Sequence, residues 1–109
     1  MKIKKGVLLE ALKVLGKVVS QTSPVEVQRS VRFLGVGEQV WLTATDGVES
    51  VTVEVAGDAG EMEDFAVEYK ALRELIRSTR GGEVEVTGKR LDWPEMEAVP
   101  DDAVTVELS

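Results

Sequence analysis

The segment at residues 69–80 constrains the fold most, because its pattern predicts a helix with two unlike faces. Apolar side chains recur at helical spacing at Tyr69, Leu72, Leu75 and Ile76. At about 100° per residue, a row of cations falls on the opposite side, at Lys70, Arg73 and Arg77. Two glycines follow at residues 81–82 and end the helix, as glycine commonly does at a helix C-terminus. We therefore expect one buried and one cationic face.

A second amphipathic pattern near the start predicts another helix, over residues 6–20. Its apolar residues form one broad stripe, and Lys13 and Lys17 lie roughly opposite the centre of that stripe. Gly16 and the two valines that follow weaken its last turn. Both predicted helices thus carry cations on their solvent side.

The rest of the chain alternates between apolar and polar residues, which is typical of strands. Strands or extended segments are predicted at residues 1–4, 27–34, 39–45, 49–55, 62–67, 83–87, 91–99 and 104–108. Turns or loops are predicted at residues 35–38, 46–47 and 58–60. The order is β-α-β-β-β, repeated once. Such a repeat predicts an α+β fold with two helices packed on one side of a mainly antiparallel sheet.

The length and composition of the chain limit the class of protein. A chain of 109 residues is expected to form a single domain over residues 1–109. With neither cysteine nor histidine, it lacks a thiol nucleophile, the usual zinc ligands and the commonest general base. No apolar run reaches the roughly 18 residues that span a bilayer. We expect a cytoplasmic protein that is not an enzyme and has no cofactor, metal site or membrane contact.

Positive charge is concentrated on the two predicted helices. The net charge is −7, yet seven of the 13 basic residues lie in or beside these helices. Of the 20 acidic residues, only Glu10 and Glu74 lie within them. A cationic helix face is often no more than a solvated surface, but here the segregation occurs twice. It predicts a layer that meets a polyanion.

Four short stretches resemble the bacterial DNA polymerase III beta subunit, the sliding clamp. They are Leu8-Leu9-Glu10-Ala11-Leu12, Leu42-Thr43-Ala44-Thr45-Asp46, Ala71-Leu72-Arg73-Glu74-Leu75-Ile76-Arg77-Ser78, and Gly82-Glu83-Val84-Glu85-Val86 followed by Gly88-Lys89-Arg90-Leu91. In order and spacing they are similar to the first helix, a strand end, the second helix and the following hairpin of one clamp domain. The resemblance covers about residues 1–92.

The resemblance implies a DNA-clamp-like domain with a DNA-facing helical layer. In that family six such domains, three from each polypeptide, form a ring around duplex DNA, with helices lining the hole. Arg77 resembles the family's basic residue that contacts the phosphate backbone. The other candidate DNA-binding residues are inferred from the predicted helix faces or their ends: Lys13, Lys17, Lys70, Arg73 and Arg80. The implied contact is to phosphates, without base readout.

Departures from the clamp pattern leave a second function open. The loop at residues 20–24 lacks the arginine that the family often has there, and residues from Asp92 onward do not follow the pattern. One domain cannot encircle DNA, so self-association through sheet edges is expected, with residues 51–55 and 104–108 as candidates. The alternative is a protein-interaction module that binds another clamp or replication protein and not DNA.

Overall fold

The computed structural model describes residues 1–90 and 104–105, and it confirms an α+β fold. In chain order the elements are β1 (Lys2–Lys4), α1 (Lys5–Leu15), α2 (Glu26–Arg29), β2 (Ser30–Thr45), β3 (Ser50–Glu68), α3 (Tyr69–Ser78), β4 (Glu83–Glu85) and β5 (Val104–Thr105). The predicted extended segment 91–99 and residues 106–108 of the last predicted strand lie outside the described residues.

The sheet has the strand order β2-β3-β1-β4, with every neighbouring pair antiparallel. β2 and β3 form one long hairpin, and β1 lies between β3 and β4. β5 pairs in parallel with β3 at Val53 and Glu54. Residues 51–55, a candidate sheet edge from sequence, therefore have strands on both sides at Val53 and Glu54. Among the described strands, β2, β4 and β5 each pair with only one other strand.

Two predicted breaks between strands are bends within longer strands. Residues 35–38 and 58–60 were expected to be a turn and a loop, but β2 and β3 continue through them, with register shifts between Gly35, Gly37 and Gln39. Gly37 and Gly60 lie opposite each other with φ of 60° and 69°. Glycine adopts this left-handed conformation without a Cβ penalty. The glycines that predict turns thus allow two long strands to bend together.

Both long helices begin directly at the end of a strand. β1 runs into α1 through Lys4 (φ −60°, ψ 134°), and β3 runs into α3 through Glu68 (φ −60°, ψ 133°). The nearly identical junctions support the repeat of elements inferred from sequence. α1 ends at Leu15, earlier than the predicted residue 20, and a short helix, α2, takes the place of the start of the predicted strand 27–34.

The core lies between the sheet and the inner faces of α1 and α3. Leu8 and Leu15 of α1 and Leu72 of α3 are fully buried, and they belong to one cluster with Phe33 and Leu42 of β2. Burying a leucine side chain contributes about 1.5–3 kcal/mol relative to leaving it exposed. This burial fixes the inner faces of both helices, so their polar faces must point away from the sheet.

An acidic residue at the tip of the long hairpin stabilises the turn through its side chain. Asp46 Oδ1 accepts hydrogen bonds from the backbone N–H groups of Val48 (2.8 Å) and Glu49 (2.7 Å). These bonds lower the pKa of the Asp46 carboxyl below its usual value. Gly47 supplies the positive φ, 92°, that this turn needs. The predicted Asp-Gly hairpin turn is confirmed.

A bidentate ion pair fastens β2 to β3 on the sheet. Arg32 Nε and Nη2 donate to the two carboxylate oxygens of Asp64 at 3.0 and 2.8 Å, and both side chains are more than two-thirds buried. The hydrogen bonds from Arg32 hold the pKa of Asp64 below its ordinary value. A carboxyl with a lowered folded-state pKa stabilises the fold above its unfolded pKa and loses that contribution as pH falls.

We expect Asp64→Asn to destabilise the protein at neutral pH, by about 1 kcal/mol for a partly exposed pair. The difference from the wild type should shrink as pH falls below about 3.9, the unfolded value of aspartate, because the wild-type carboxyl then becomes protonated as well. Urea unfolding at pH 7 and at successively lower pH values measures it. A difference that stays constant down to pH values well below 3 would contradict the assigned role of the Asp64 charge.

Candidate nucleic-acid interface

α1 and α3 lie side by side and run in opposite directions. Near the end of α1 and the start of α3, Tyr69 Oη donates to the Leu12 carbonyl at 3.4 Å. At the opposite end, Lys5 Nζ donates to the Thr79 carbonyl at 2.7 Å, and the Lys5 backbone N–H donates to the Gly82 carbonyl at 2.9 Å. The start of α1 therefore contacts the end of α3, and these bonds fix the two helices relative to each other.

A groove of about 670 Å³ lies between the two helices. Four cations and four apolar or aromatic side chains line it. They are Lys5, Leu9, Lys13 and Leu12 from α1, and Tyr69, Arg73, Ile76 and Arg77 from α3. Leu12, Tyr69 and Ile76 are buried, whereas Leu9 is 43% exposed. The groove thus has an apolar floor, and the cations of one helix flank it on each side; we call these two sides its banks.

Three of the groove cations have partners on their own helix. Lys13 Nζ lies 3.0 Å from Glu10 Oε1, and Arg77 Nη1 lies 3.4 Å from Glu74 Oε1. The guanidinium of Arg73 sits 5.9 Å from the centre of the Tyr69 ring, in cation–π geometry. The side chains of Lys13 and Arg77 are 73% and 68% exposed, so they remain accessible to a ligand. They are not buried against acidic residues.

The six candidate residues from sequence divide into two sets. Lys13, Arg73 and Arg77 line the groove. The others are exposed near the helices but do not line the groove, and they make no ion pair with another described residue: Lys17, Lys70 and Arg80. The structure thus brings three of the six together at the groove, and the other three lie outside its lining.

Sequence reasoning did not include Lys5 among the candidate site residues. In the structure, Lys5 lines the groove, and its ammonium donates a hydrogen bond to the carbonyl of Thr79 at the end of α3. Lys5 lies eight residues before Lys13, which places the two side chains about 80° apart around a helix axis. The predicted helix also began only at residue 6, so the sequence pattern gave no clear signal for Lys5. On a helix that starts one residue earlier, Lys5 lies about 20° from Leu12, at the edge of the apolar stripe and not on the cationic face.

Other candidate sites carry less support within the described part of the chain. In residues 1–90 and 104–105, no group of three or more acidic side chains is arranged to hold a metal ion. Trp41 lies on β2, away from the groove lining, and its Nε1 is buried without a hydrogen-bond partner among these residues. No helix in this part of the structure is long and apolar enough to cross a membrane.

The arrangement of two antiparallel helices over the β2-β3-β1-β4 sheet defines a domain of the DNA-clamp fold. No family model and no curated protein matches the sequence. The solved structures that match are bacterial DNA polymerase III beta subunits, or beta sliding clamps. With the Pseudomonas aeruginosa subunit the TM-score is 0.71 at 21% identity, over 92% of this chain and 33% of that one.

Two further clamps give similar values. The Caulobacter crescentus pol III beta matches with a TM-score of 0.67 at 19% identity, over 75% of this chain and 22% of that one. The Helicobacter pylori beta clamp, solved bound to a DNA ligase peptide, matches with a TM-score of 0.67 at 13% identity, over 76% and 24%. The chain thus spans between about a fifth and a third of these proteins' length. At such identities the likeness establishes the fold.

Proposed function

We propose that this chain is a sliding-clamp-like domain that associates with duplex DNA through the groove between α1 and α3. It is a binding module and not an enzyme. The observation that carries the proposal is that cations from two segments more than 50 residues apart meet on one exposed surface, at Lys5, Lys13, Arg73 and Arg77. Cations on an exposed face favour a polyanion, and phosphates are the polyanion that a clamp fold suggests.

The chemistry of the groove supports contact with the DNA backbone rather than with bases. Lysine and arginine side chains neutralise phosphates without regard to sequence. All eight side chains that line the groove belong to the two helices, and none comes from a loop. The candidate cations outside the groove, Lys17, Lys70 and Arg80, are exposed, and we propose that they add further phosphate contacts.

Encircling a duplex requires further domains, so we propose that this one assembles with others through sheet edges. The outer edge of β2 pairs with no described strand, and β2 is 16 residues long. An unpaired strand edge offers backbone donors and acceptors to another chain. Pairing of one edge with a different edge generates a ring when the angle closes.

The alternative function is a clamp-fold module that binds another clamp or a replication protein and not DNA. One observation favours it, which is the net charge of −7. The Helicobacter pylori clamp bound to a DNA ligase peptide illustrates a clamp holding a protein segment. In this alternative the helix cations are a solvated face.

Light scattering with and without a random-sequence DNA duplex tests both functions. For a DNA-associating assembly we expect a mass above the 11.9 kDa of one chain and a further increase with DNA. The DNA-dependent increase should fall as salt rises, with a slope of about −0.9 in log K against log salt for each phosphate contact. Absence of salt-dependent DNA association removes the first function. A strict monomer at high concentration favours the alternative.

A further inference from the structure

We infer that Glu10 and Glu74 attenuate the affinity of the groove for phosphates, so that the domain holds DNA weakly and releases it quickly. The inference rests on the proposed function and adds two acidic residues to it. Both acids belong to the helices that carry the cations, and neither lines the groove itself.

The two helices repeat the same arrangement of charge. Glu10 lies three residues before Lys13 on α1, and Glu74 lies three residues before Arg77 on α3. In each pair the cation lines the groove while the acid stands beside it, 3.0 and 3.4 Å from the cationic nitrogen. No other acidic residue occurs within α1 or α3. Each bank of the groove therefore has one acid, next to one groove cation.

Stabilising the helices is a weak explanation for these pairs. Glu10 and Glu74 are 45% and 62% exposed, and pairs of exposed side chains at this spacing stabilise a helix only slightly. Their effect on a bound polyanion is larger, for two reasons. A phosphate that approaches Lys13 or Arg77 must share that cation with a carboxylate. The carboxylate also repels the phosphate from well inside the Debye length of about 8 Å at physiological salt.

Charge counts on the two helices give the size of the effect. α1 carries Lys5 and Lys13 against Glu10, and α3 carries Lys70, Arg73 and Arg77 against Glu74. The net charges are +1 and +2. Replacing both acids with glutamine would change them to +2 and +3, a total rise from +3 to +5. A surface that must slide along DNA benefits from the lower value, because phosphate affinity grows steeply with each cation.

The test compares the wild type with Glu10→Gln/Glu74→Gln by fluorescence anisotropy on a labelled random-sequence duplex, over a series of salt concentrations. We expect the variant to bind about threefold to tenfold more tightly at low salt, the range that one or two exposed charge interactions provide. The slope of log K against log salt should steepen by about 1–2, as phosphates gain unshared cations. Stopped-flow dissociation should slow in proportion.

Glu38→Gln/Glu61→Gln is the matched control. Both residues are exposed on β2 and β3, neither forms an ion pair with another described residue, and the change in net charge is the same. We expect at most a small change in affinity from this control. Equal tightening by both double variants would overturn the inference, because the effect would then follow net charge alone. Wild-type binding with no tightening in Glu10→Gln/Glu74→Gln would also overturn it and leave the proposed function standing. If neither the wild type nor any variant bound DNA, both the inference and the proposed function would be contradicted.

Discussion

Lys13→Glu combined with Arg77→Glu is expected to weaken salt-dependent DNA association by more than about tenfold. The two substitutions reverse one cation on each bank of the groove. Each creates a second acid three residues from an existing one, Glu10 or Glu74, so the approaching phosphates meet paired negative charges. Anisotropy on a random-sequence duplex at low salt measures the loss.

The fold of this variant should survive, because both side chains are about 70% exposed. Like charges at this spacing cost about 0.2–0.5 kcal/mol for each helix, which is a small part of a domain's stability. The control is Lys2→Glu with Lys89→Glu. Since each reversal lowers the net charge by two, both double variants change it from −7 to −11. If the control lost DNA association equally, the effect would come from overall charge and not from the groove.

Leu72→Ala is expected to give the largest loss of stability, about 2–5 kcal/mol. Leu72 is completely buried on the inner face of α3, within the cluster that joins the helices to the sheet. Truncation leaves a cavity below the helix that carries Arg73 and Arg77. For a domain whose total stability is about 5–15 kcal/mol, a loss of this size takes away a large share. Urea unfolding followed by circular dichroism measures it.

Leu9→Ala removes the same atoms from the other helix and serves as the comparison. Leu9 is 43% exposed at the floor of the groove, so its truncation should cost less than about 1 kcal/mol. A similar loss from both variants would contradict the packing of α3 on the sheet. The contrast between the two leucines also separates the role of the core from that of the groove lining.

Sequence periodicity predicted α3 almost completely. Its apolar face sets the buried side, and Tyr69, Leu72 and Ile76 are indeed buried. α1 was predicted five residues too long at its end, because the valines at 18 and 19 continue the apolar stripe after the helix has ended at Leu15. Periodicity reports which side of a segment is buried, and both a helix and the turn that follows it bury apolar residues.

Local sequence rules could not predict that β2 and β3 continue through their bends. Gly37 and Gly60 each signal a turn in isolation, but they lie opposite each other in one hairpin, and strand pairing on either side keeps both strands continuous. The groove was likewise only half predictable. The helix faces gave Lys13, Arg73 and Arg77, whereas the antiparallel contact that brings Lys5 to Thr79 is a tertiary feature. Nothing in the spacing of either segment specifies its neighbour.

The opposite directions of α1 and α3 make the groove nearly palindromic in charge. Their backbone dipoles oppose each other, so neither end of the groove gains the electrostatic character of a single helix terminus. Lys5 and Arg77 stand towards one end, Lys13 and Arg73 towards the other, with Leu9 between them. A phosphate strand would therefore meet the same order of charges from either direction. Under the proposed function, such a surface would accept a DNA strand in either polarity.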